Sequence, residues 1–190
     1  MPFTIPNALT WARILLIPLF VGVYYLPDAI VSLPGKNLFA VVVFVVAAVT
    51  DWLDGYLARS LGQTSAFGAF LDPVADKLMV AAALIVLVEL DRVDALVAFV
   101  IIGREITISA LREWMARVGA SRSVAVSMLG KVKTSAQMVA IPMLLYANPV
   151  GGYEFHRLGT FLIYLAALLT LWSMVYYLRK AAPVLVAARH

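Results

Sequence analysis

Six apolar stretches follow one another along this sequence, and each has about the length that a helix needs to cross a bilayer. A spanning helix takes roughly 20 mostly apolar residues. Hydrophobic residue types make up 63% of the 190 residues and charged types only 14%, which is more apolar surface than a soluble domain of this size buries. We therefore predict an all-α membrane protein. Its six transmembrane helices are expected at about residues 8–26, 37–60, 73–90, 94–116, 128–147 and 158–179.

The length fits one domain, taken as residues 1–190. Cysteine is absent, which excludes disulfides and thiolate metal ligands. The first residues, Met1 to Asn7, lack a basic segment, so we do not expect a cleaved signal peptide. The net charge is +4. In a chain with a mean hydropathy of +0.93, this charge favours anionic lipids or phosphate-bearing substrates over nucleic acid.

Basic residues near the expected helix ends are unevenly distributed between the two sides of the membrane. With six spans both termini lie on one side, which would carry Arg13, Arg59, Arg112, Arg117, Arg122, Lys131, Lys133, Arg179, Lys180 and Arg189. The opposite side would carry Lys36, Arg92 and Arg157. Cytoplasmic loops are enriched in Lys and Arg, so both termini are predicted to be cytoplasmic.

Four aspartates, Asp51, Asp54, Asp72 and Asp76, lie close together at the predicted cytoplasmic ends of the second and third spans. A carboxylate beside hydrocarbon is costly and indicates function. Four convergent carboxylates repel one another, and divalent cations would relieve that repulsion. Oxygen ligands alone suit Mg²⁺ or Mn²⁺, and four carboxylates are enough for two ions, an arrangement that clamps phosphoryl oxygens.

The spacing of these residues supports their convergence. Asp51 and Asp54 lie on one helical stripe with Gly55, Ala58 and Arg59, whereas Asp72 and Asp76 share a face of the next helix. Pro73 is expected in the first turn of that helix. Small residues beside the carboxylates leave room for a ligand or a neighbouring helix. The guanidinium of Arg59 suits a phosphate.

The pattern D-x2-D-G-x2-A-R-x8-G-x3-D-x3-D runs from Asp51 to Asp76 without a departure. It resembles the signature of the CDP-alcohol phosphotransferase family. The resemblance implies a six-helix membrane enzyme, commonly a homodimer, that depends on magnesium or manganese. Such enzymes transfer a substituted phosphate from a CDP-linked donor to an alcohol and release CMP.

Other segments resemble the bacterial branch of the family that transfers a phosphatidyl group from CDP-diacylglycerol to sn-glycerol 3-phosphate. They are Pro6–Thr10 with Arg13, Gly103–Ile106, Ser109–Trp114 and Leu129–Gln137. The last apolar stretch contributes nothing to this resemblance. The branch implies the bacterial cytoplasmic (inner) membrane as the location, with the active site on the cytoplasmic face. Small residues such as Ala81, Ala82 and Ala83 are candidates for a dimer interface.

The resemblance also implies roles for individual residues. Asp51, Asp54, Asp72 and Asp76 would bind the metal ions, and Asp76 would also take the proton of the acceptor hydroxyl, although spacing alone does not separate it from Asp72. CDP-diacylglycerol would contact Gly55, Ala58, Arg59, Gly68, Asn7 and Thr10, with Arg13 nearby. Asn7 is equally well explained as a helix N-cap.

An acceptor that carries its own phosphate needs a second set of cations. The candidates for binding glycerol 3-phosphate are Arg104, Arg112, Lys131 and Lys133. Alternatively, Arg104 forms an intramembrane ion pair that only orients helices, and the other three follow the positive-inside rule.

Two other functions remain open from the sequence. A related transferase would use a different alcohol, such as inositol phosphate, inositol, serine or phosphatidylglycerol. An ion or proton transporter with a carboxylate relay is the alternative from another class. Transporters place such charges near the bilayer midplane, often in repeated halves, whereas these aspartates lie at one edge and have no second copy.

Overall fold

The computed structural model describes the backbone of residues 5–60, 66–119, 128–149 and 154–187. It describes the side chains of these residues except those of 5–7, 54–59, 66, 67, 69, 128, 129, 131 and 184–187. This part of the chain is helical and contains no strand. The helices are α1 (Ile5–Gly22), α2 (Leu33–Ser60), α3 (Ala66–Glu89), α4 (Ala95–Arg117), α5 (Met128–Tyr146) and α6 (Phe155–Ala187), with a single 3₁₀ turn at Val23–Tyr25.

Each of the six predicted helices is present, but several boundaries differ from the predicted ones. The prediction that Pro73 lies in the first turn of the third helix is wrong, because α3 already begins at Ala66 and Pro73 lies inside it. Proline removes one intrahelical hydrogen bond at a cost of about 3 kcal/mol, a loss that packed apolar helices tolerate. Asp72 and Asp76 therefore lie on one uninterrupted helix.

Three of the described helices are long and apolar enough to cross a membrane, over Ala8–Tyr25, Leu33–Leu53 and Phe155–Pro183. The other three do not meet both conditions over their described residues; α4, for example, contains Arg104, Glu105 and Arg112. Large apolar side chains are exposed around the outside of the bundle, as Phe99 (73%) and Trp172 (68%) illustrate. A surface of this kind suits contact with lipid.

The main core is an apolar cluster to which all six helices contribute, including Phe20, Phe44, Leu84, Ile101, Leu144 and Ile163. Helix α1 packs against α2 and α3, α5 packs against α2 and α6, and α4 packs against α3 and α6. A smaller cluster of Ile108, Met115, Tyr177 and Ala181 joins α4 to α6. This arrangement surrounds the aspartate-bearing segments of α2 and α3 with α1, α4 and α5.

Candidate active site

Helix α1 joins the two aspartate-bearing helices through two polar side chains, Thr10 and Arg13. Nη1 of Arg13 donates a hydrogen bond to Oδ1 of Asp51 in α2, over 2.6 Å. The hydroxyl of Thr10 donates a hydrogen bond to Oδ1 of Asp72 in α3. Thr10 and Arg13 are three residues apart, so they project from one face of α1, and both are buried. This face therefore orients the carboxylates of two different helices.

Asp51, Asp72 and Asp76 lie at the end of the bundle where the end of α2 and the start of α3 approach each other. Asp72 and Asp76 are one turn apart on α3, and the charge of Asp76 interacts with those of Asp51 and Arg13. Within the described side chains, no group of three or more acidic or histidine residues lies close enough to hold one metal ion. The side chain of Asp54 is outside the described residues.

Several other predicted site residues also have side chains that the structure does not describe. The side chains of Asn7, Gly55, Ala58, Arg59 and Lys131 lie outside the described residues, although their backbone is helical. Gly68 is described and is buried in the first turns of α3. The structure therefore places Thr10 and Arg13 against the acidic residues, and the expected nucleotide contacts of the other residues stay predictions.

A cluster of basic side chains consists of Arg104 and Arg112 of α4 with Lys133 of α5, and two of them, Arg104 and Lys133, contact Glu105. Nζ of Lys133 donates a hydrogen bond to Oε1 of Glu105, and Nη1 of Arg104 lies 3.3 Å from the same oxygen. Arg104 and Lys133 are both buried. Glu105 is adjacent to Arg104 in the chain, so their contact cannot orient one helix against another. The contact between Glu105 and Lys133 joins α4 to α5.

The basic cluster contains more positive than negative charge. Arg104 and Lys133 share the one carboxylate of Glu105, and Nε of both Arg104 and Arg112 is buried without a hydrogen-bond partner in the described part of the chain. Burying charge without compensation is costly. An anionic ligand with several acceptor oxygens would supply the missing charge and hydrogen bonds.

The acidic and basic groups lie next to each other. The charge of Asp76 interacts with that of Glu105, and Lys77, the residue after Asp76, also interacts with Glu105. A small cavity lined by Arg13 and Asp76 extends towards Met138 of α5. A ligand bound at Asp76 would therefore be within reach of the residues that surround the basic cluster.

An apolar groove of about 320 Å³ lies between α2 and α5. It is lined by Phe44, Val45, Ala48, Val49, Trp52, Met138 and Pro142. Phe44, Ala48 and Met138 also line the small cavity beside Asp76. Trp52 and Val49 are exposed on the outer surface, so the groove opens on the outside of the bundle.

Helix α6 contributes polar groups to the basic cluster, although the sequence predicted no role for it. Nη2 of Arg104 donates a hydrogen bond to Oγ of Ser173, over 3.1 Å. Nη2 of Arg112 donates one to the hydroxyl of Tyr177, over 3.3 Å. Thr170, Ser173 and Tyr177 are buried and are spaced three and four apart. A polar stripe inside an apolar helix is the signal that would have identified them.

A family model described as CDP-alcohol phosphatidyltransferase matches residues 3–172. The chain therefore belongs to the CDP-alcohol phosphatidyltransferase family. Proteins named CDP-diacylglycerol–glycerol-3-phosphate 3-phosphatidyltransferase from Shigella flexneri serotype 5b and Escherichia coli K12 are each 51% identical to it over 183 residues. The corresponding protein of Salmonella typhimurium LT2 is 50% identical. Each alignment covers 95% of this chain and 96% of the relative.

Proposed function

We propose that this protein transfers the phosphatidyl group of CDP-diacylglycerol to sn-glycerol 3-phosphate, giving phosphatidylglycerophosphate and CMP. The observation that carries the proposal is the basic cluster of Arg104, Arg112 and Lys133 beside the aspartates of α2 and α3, in which Arg104 and Lys133 are buried. The aspartates suit a nucleotide diphosphate with its metal ions, and the cluster suits an acceptor that brings a second phosphate. The names and near full-length identity of the relatives support the same donor and acceptor.

Asp51, Asp54, Asp72 and Asp76 are the proposed ligands of Mg²⁺ or Mn²⁺, with two ions bound. The donor set fits these hard cations because every group offers carboxylate oxygen. The contacts of Arg13 and Thr10 with Asp51 and Asp72 are the kind of outer contact that orients metal ligands. When bound, the ions would neutralise the diphosphate of the donor and the departing CMP.

CDP-diacylglycerol would place its nucleotide and diphosphate along Gly55, Ala58, Arg59 and Gly68, with Asn7 and Thr10 at the border. Its acyl chains need an apolar path from the polar site to the bilayer. The groove between α2 and α5 supports such a path, because it shares lining residues with the cavity beside Asp76 and is also lined by exposed apolar side chains. The lipid would thus enter sideways between these two helices.

Glycerol 3-phosphate would bind its phosphate at Arg104, Arg112, Lys131 and Lys133. The unpartnered Nε atoms and the uncompensated charge of the cluster support this assignment. Asp76 is the proposed base: it takes the proton of the acceptor hydroxyl while that oxygen attacks the lipid-side phosphorus. A new P–O bond to glycerol forms as the P–O bond to CMP breaks. Positioning and charge stabilisation supply most of the rate in such transfers.

All six helices are proposed to span a bacterial cytoplasmic membrane, with both termini and the active site on the cytoplasmic face. The uneven distribution of Lys and Arg supports this orientation. A homodimer is proposed from family resemblance, with Ala81–Ala83 as part of the candidate interface.

A panel of acceptors tests the proposed reaction. The purified full-length chain in detergent micelles would receive CDP-diacylglycerol and Mg²⁺ with glycerol 3-phosphate, inositol phosphate, inositol, serine or phosphatidylglycerol, and CMP release would be measured. We expect CMP release with glycerol 3-phosphate alone. Release with another alcohol instead would keep the family chemistry and overturn the acceptor, and a folded protein that is inactive with every alcohol would overturn the proposed reaction.

A further inference from the structure

Tyr177 of α6 lies between the two arginines of the basic cluster. Cζ of Arg104 is 5.7 Å from the centre of its ring, and Cζ of Arg112 is 5.3 Å from it. The two arginines are eight residues apart on α4, which separates their backbones by roughly 12 Å along the helix axis. Their guanidinium groups nevertheless approach the same ring, whose side chain is fully buried.

This arrangement addresses a specific electrostatic problem. Two guanidinium groups that bind one phosphate repel each other before the phosphate arrives. An aromatic ring attracts a cation over its face, so a ring shared by both groups lowers the cost of keeping them close. A phenol adds a hydrogen-bond acceptor to that attraction, which the structure uses for Nη2 of Arg112.

Ser173, one turn before Tyr177, completes the arrangement from the same face of α6. Its Oγ accepts a hydrogen bond from Nη2 of Arg104. Each arginine therefore has one polar partner on α6 and shares the ring, while its buried Nε has no partner among the described residues. Helix α6 therefore orients both guanidinium groups, while the Nε donor of each still lacks a hydrogen-bond acceptor among the described residues.

We propose that Tyr177 is a positioning residue of the acceptor site, which orients Arg104 and Arg112 for the phosphate of the acceptor, with Ser173 assisting at Arg104. This inference rests on the proposed function, because it assigns the basic cluster to the acceptor. With this role, α6 helps the site to select a phosphorylated acceptor. The donor site, which lies among α1, α2 and α3, does not depend on Tyr177.

Steady-state kinetics of two variants test this role. Tyr177→Leu removes the ring and the hydroxyl, and we expect the KM for glycerol 3-phosphate to rise about tenfold, the range of one desolvated cation–π contact. The KM for CDP-diacylglycerol should stay within about twofold of the wild-type value, since α6 does not line the donor groove. Tyr177→Phe keeps the ring but loses the hydroxyl that accepts from Arg112, so it should recover only part of the loss. Trp172→Leu, a change at an exposed aromatic residue of the same helix, should leave both KM values unchanged.

The outcomes separate this inference from the proposed function. If the wild-type chain does not use glycerol 3-phosphate, the proposed function fails. If it does, an unchanged KM for glycerol 3-phosphate in Tyr177→Leu overturns the positioning role, and so does an equal rise in both KM values. Should Tyr177→Leu not fold, the Ser173→Ala/Tyr177→Phe double variant decides. It removes both polar partners, so a selective rise in the KM for glycerol 3-phosphate supports the role and unchanged kinetics overturn it.

Discussion

The guanidinium of Arg13 in α1 donates a hydrogen bond to the carboxylate of Asp51 in α2, and Nη1 and Oδ1 are 2.6 Å apart. The Arg13 side chain is almost fully buried, whereas that of Asp51 is 41% exposed. Arg13 therefore orients the carboxylate of Asp51 from inside the bundle, while the exposed part of that carboxylate stays accessible to a ligand. A metal ligand needs this combination of orientation and access.

Replacing Arg13 should weaken metal binding without removing a proposed ligand. Arg13→Met keeps much of the buried volume but loses the hydrogen bond to Asp51. Because the loss of such an outer contact costs about 10- to 100-fold in metal affinity or activity, we expect half-maximal activity to need at least tenfold more Mg²⁺. Arg13→Lys, which retains a cation, should shift less. An unchanged Mg²⁺ requirement in folded Arg13→Met would contradict the role of this pair.

Replacing Asp76 should abolish the proposed proton transfer. Asp76→Asn keeps the shape of the side chain but cannot act as a base. General base catalysis contributes about 10² to 10⁴ to the rate, so we expect kcat to fall by at least a hundredfold while the variant still binds CDP-diacylglycerol. Turnover and binding of a radiolabelled donor would be measured on the same preparation. Full turnover of Asp76→Asn would refute the assignment.

Replacing Lys133 should affect the acceptor selectively. The buried Lys133 neutralises Glu105 and contributes positive charge to the basic cluster. A hydrogen bond to a charged group contributes about 1.5–3 kcal/mol, so loss of the proposed contact with the phosphate in Lys133→Met should raise the KM for glycerol 3-phosphate about tenfold or more. Lys180→Met, a change at an exposed cation of α6, serves as the control. A KM in Lys133→Met equal to that of the control would argue against the acceptor site.

Filling the groove between α2 and α5 should impair use of the lipid donor. Ala48 lines the groove and the cavity beside Asp76. A phenylalanine there occupies space that an acyl chain would need, and overpacking costs about 1–3 kcal/mol. We expect Ala48→Phe to raise the KM for CDP-diacylglycerol about tenfold, and less for short-chain donors. Val42→Phe, at an exposed position outside the groove, should have no effect. Equal kinetics of the two variants would exclude the groove as the lipid path.

Local spacing predicted much of the fold and of the candidate site. Apolar stretches of bilayer length predicted six helices, and the interval of four between Asp72 and Asp76 placed both on one face of α3. The start of α3 was missed because Pro73 is typical of a first turn, whereas the helix continues through it. Helix packing in the folded chain outweighs this local preference.

Contacts between residues that are far apart in the chain could not be predicted from the sequence pattern. The pairing of Thr10 with Asp72 and of Arg13 with Asp51 depends on how α1 packs between α2 and α3. In the same way, Arg104 and Arg112 share the Tyr177 ring because α4 packs against α6. Helical periodicity shows which residues of one helix share a face, but it does not show which face of another helix they meet.

Transfer of label from radioactive glycerol 3-phosphate into lipid is the most direct measurement of the central claim. Purified protein in detergent would be incubated with CDP-diacylglycerol and Mg²⁺, and the organic phase would be counted with and without a chelator. Asp72→Asn would be treated identically. We expect label in the lipid phase that depends on the metal and is absent with Asp72→Asn. Label that persists with the chelator or with Asp72→Asn, or a folded wild-type protein that incorporates none, would contradict the claim.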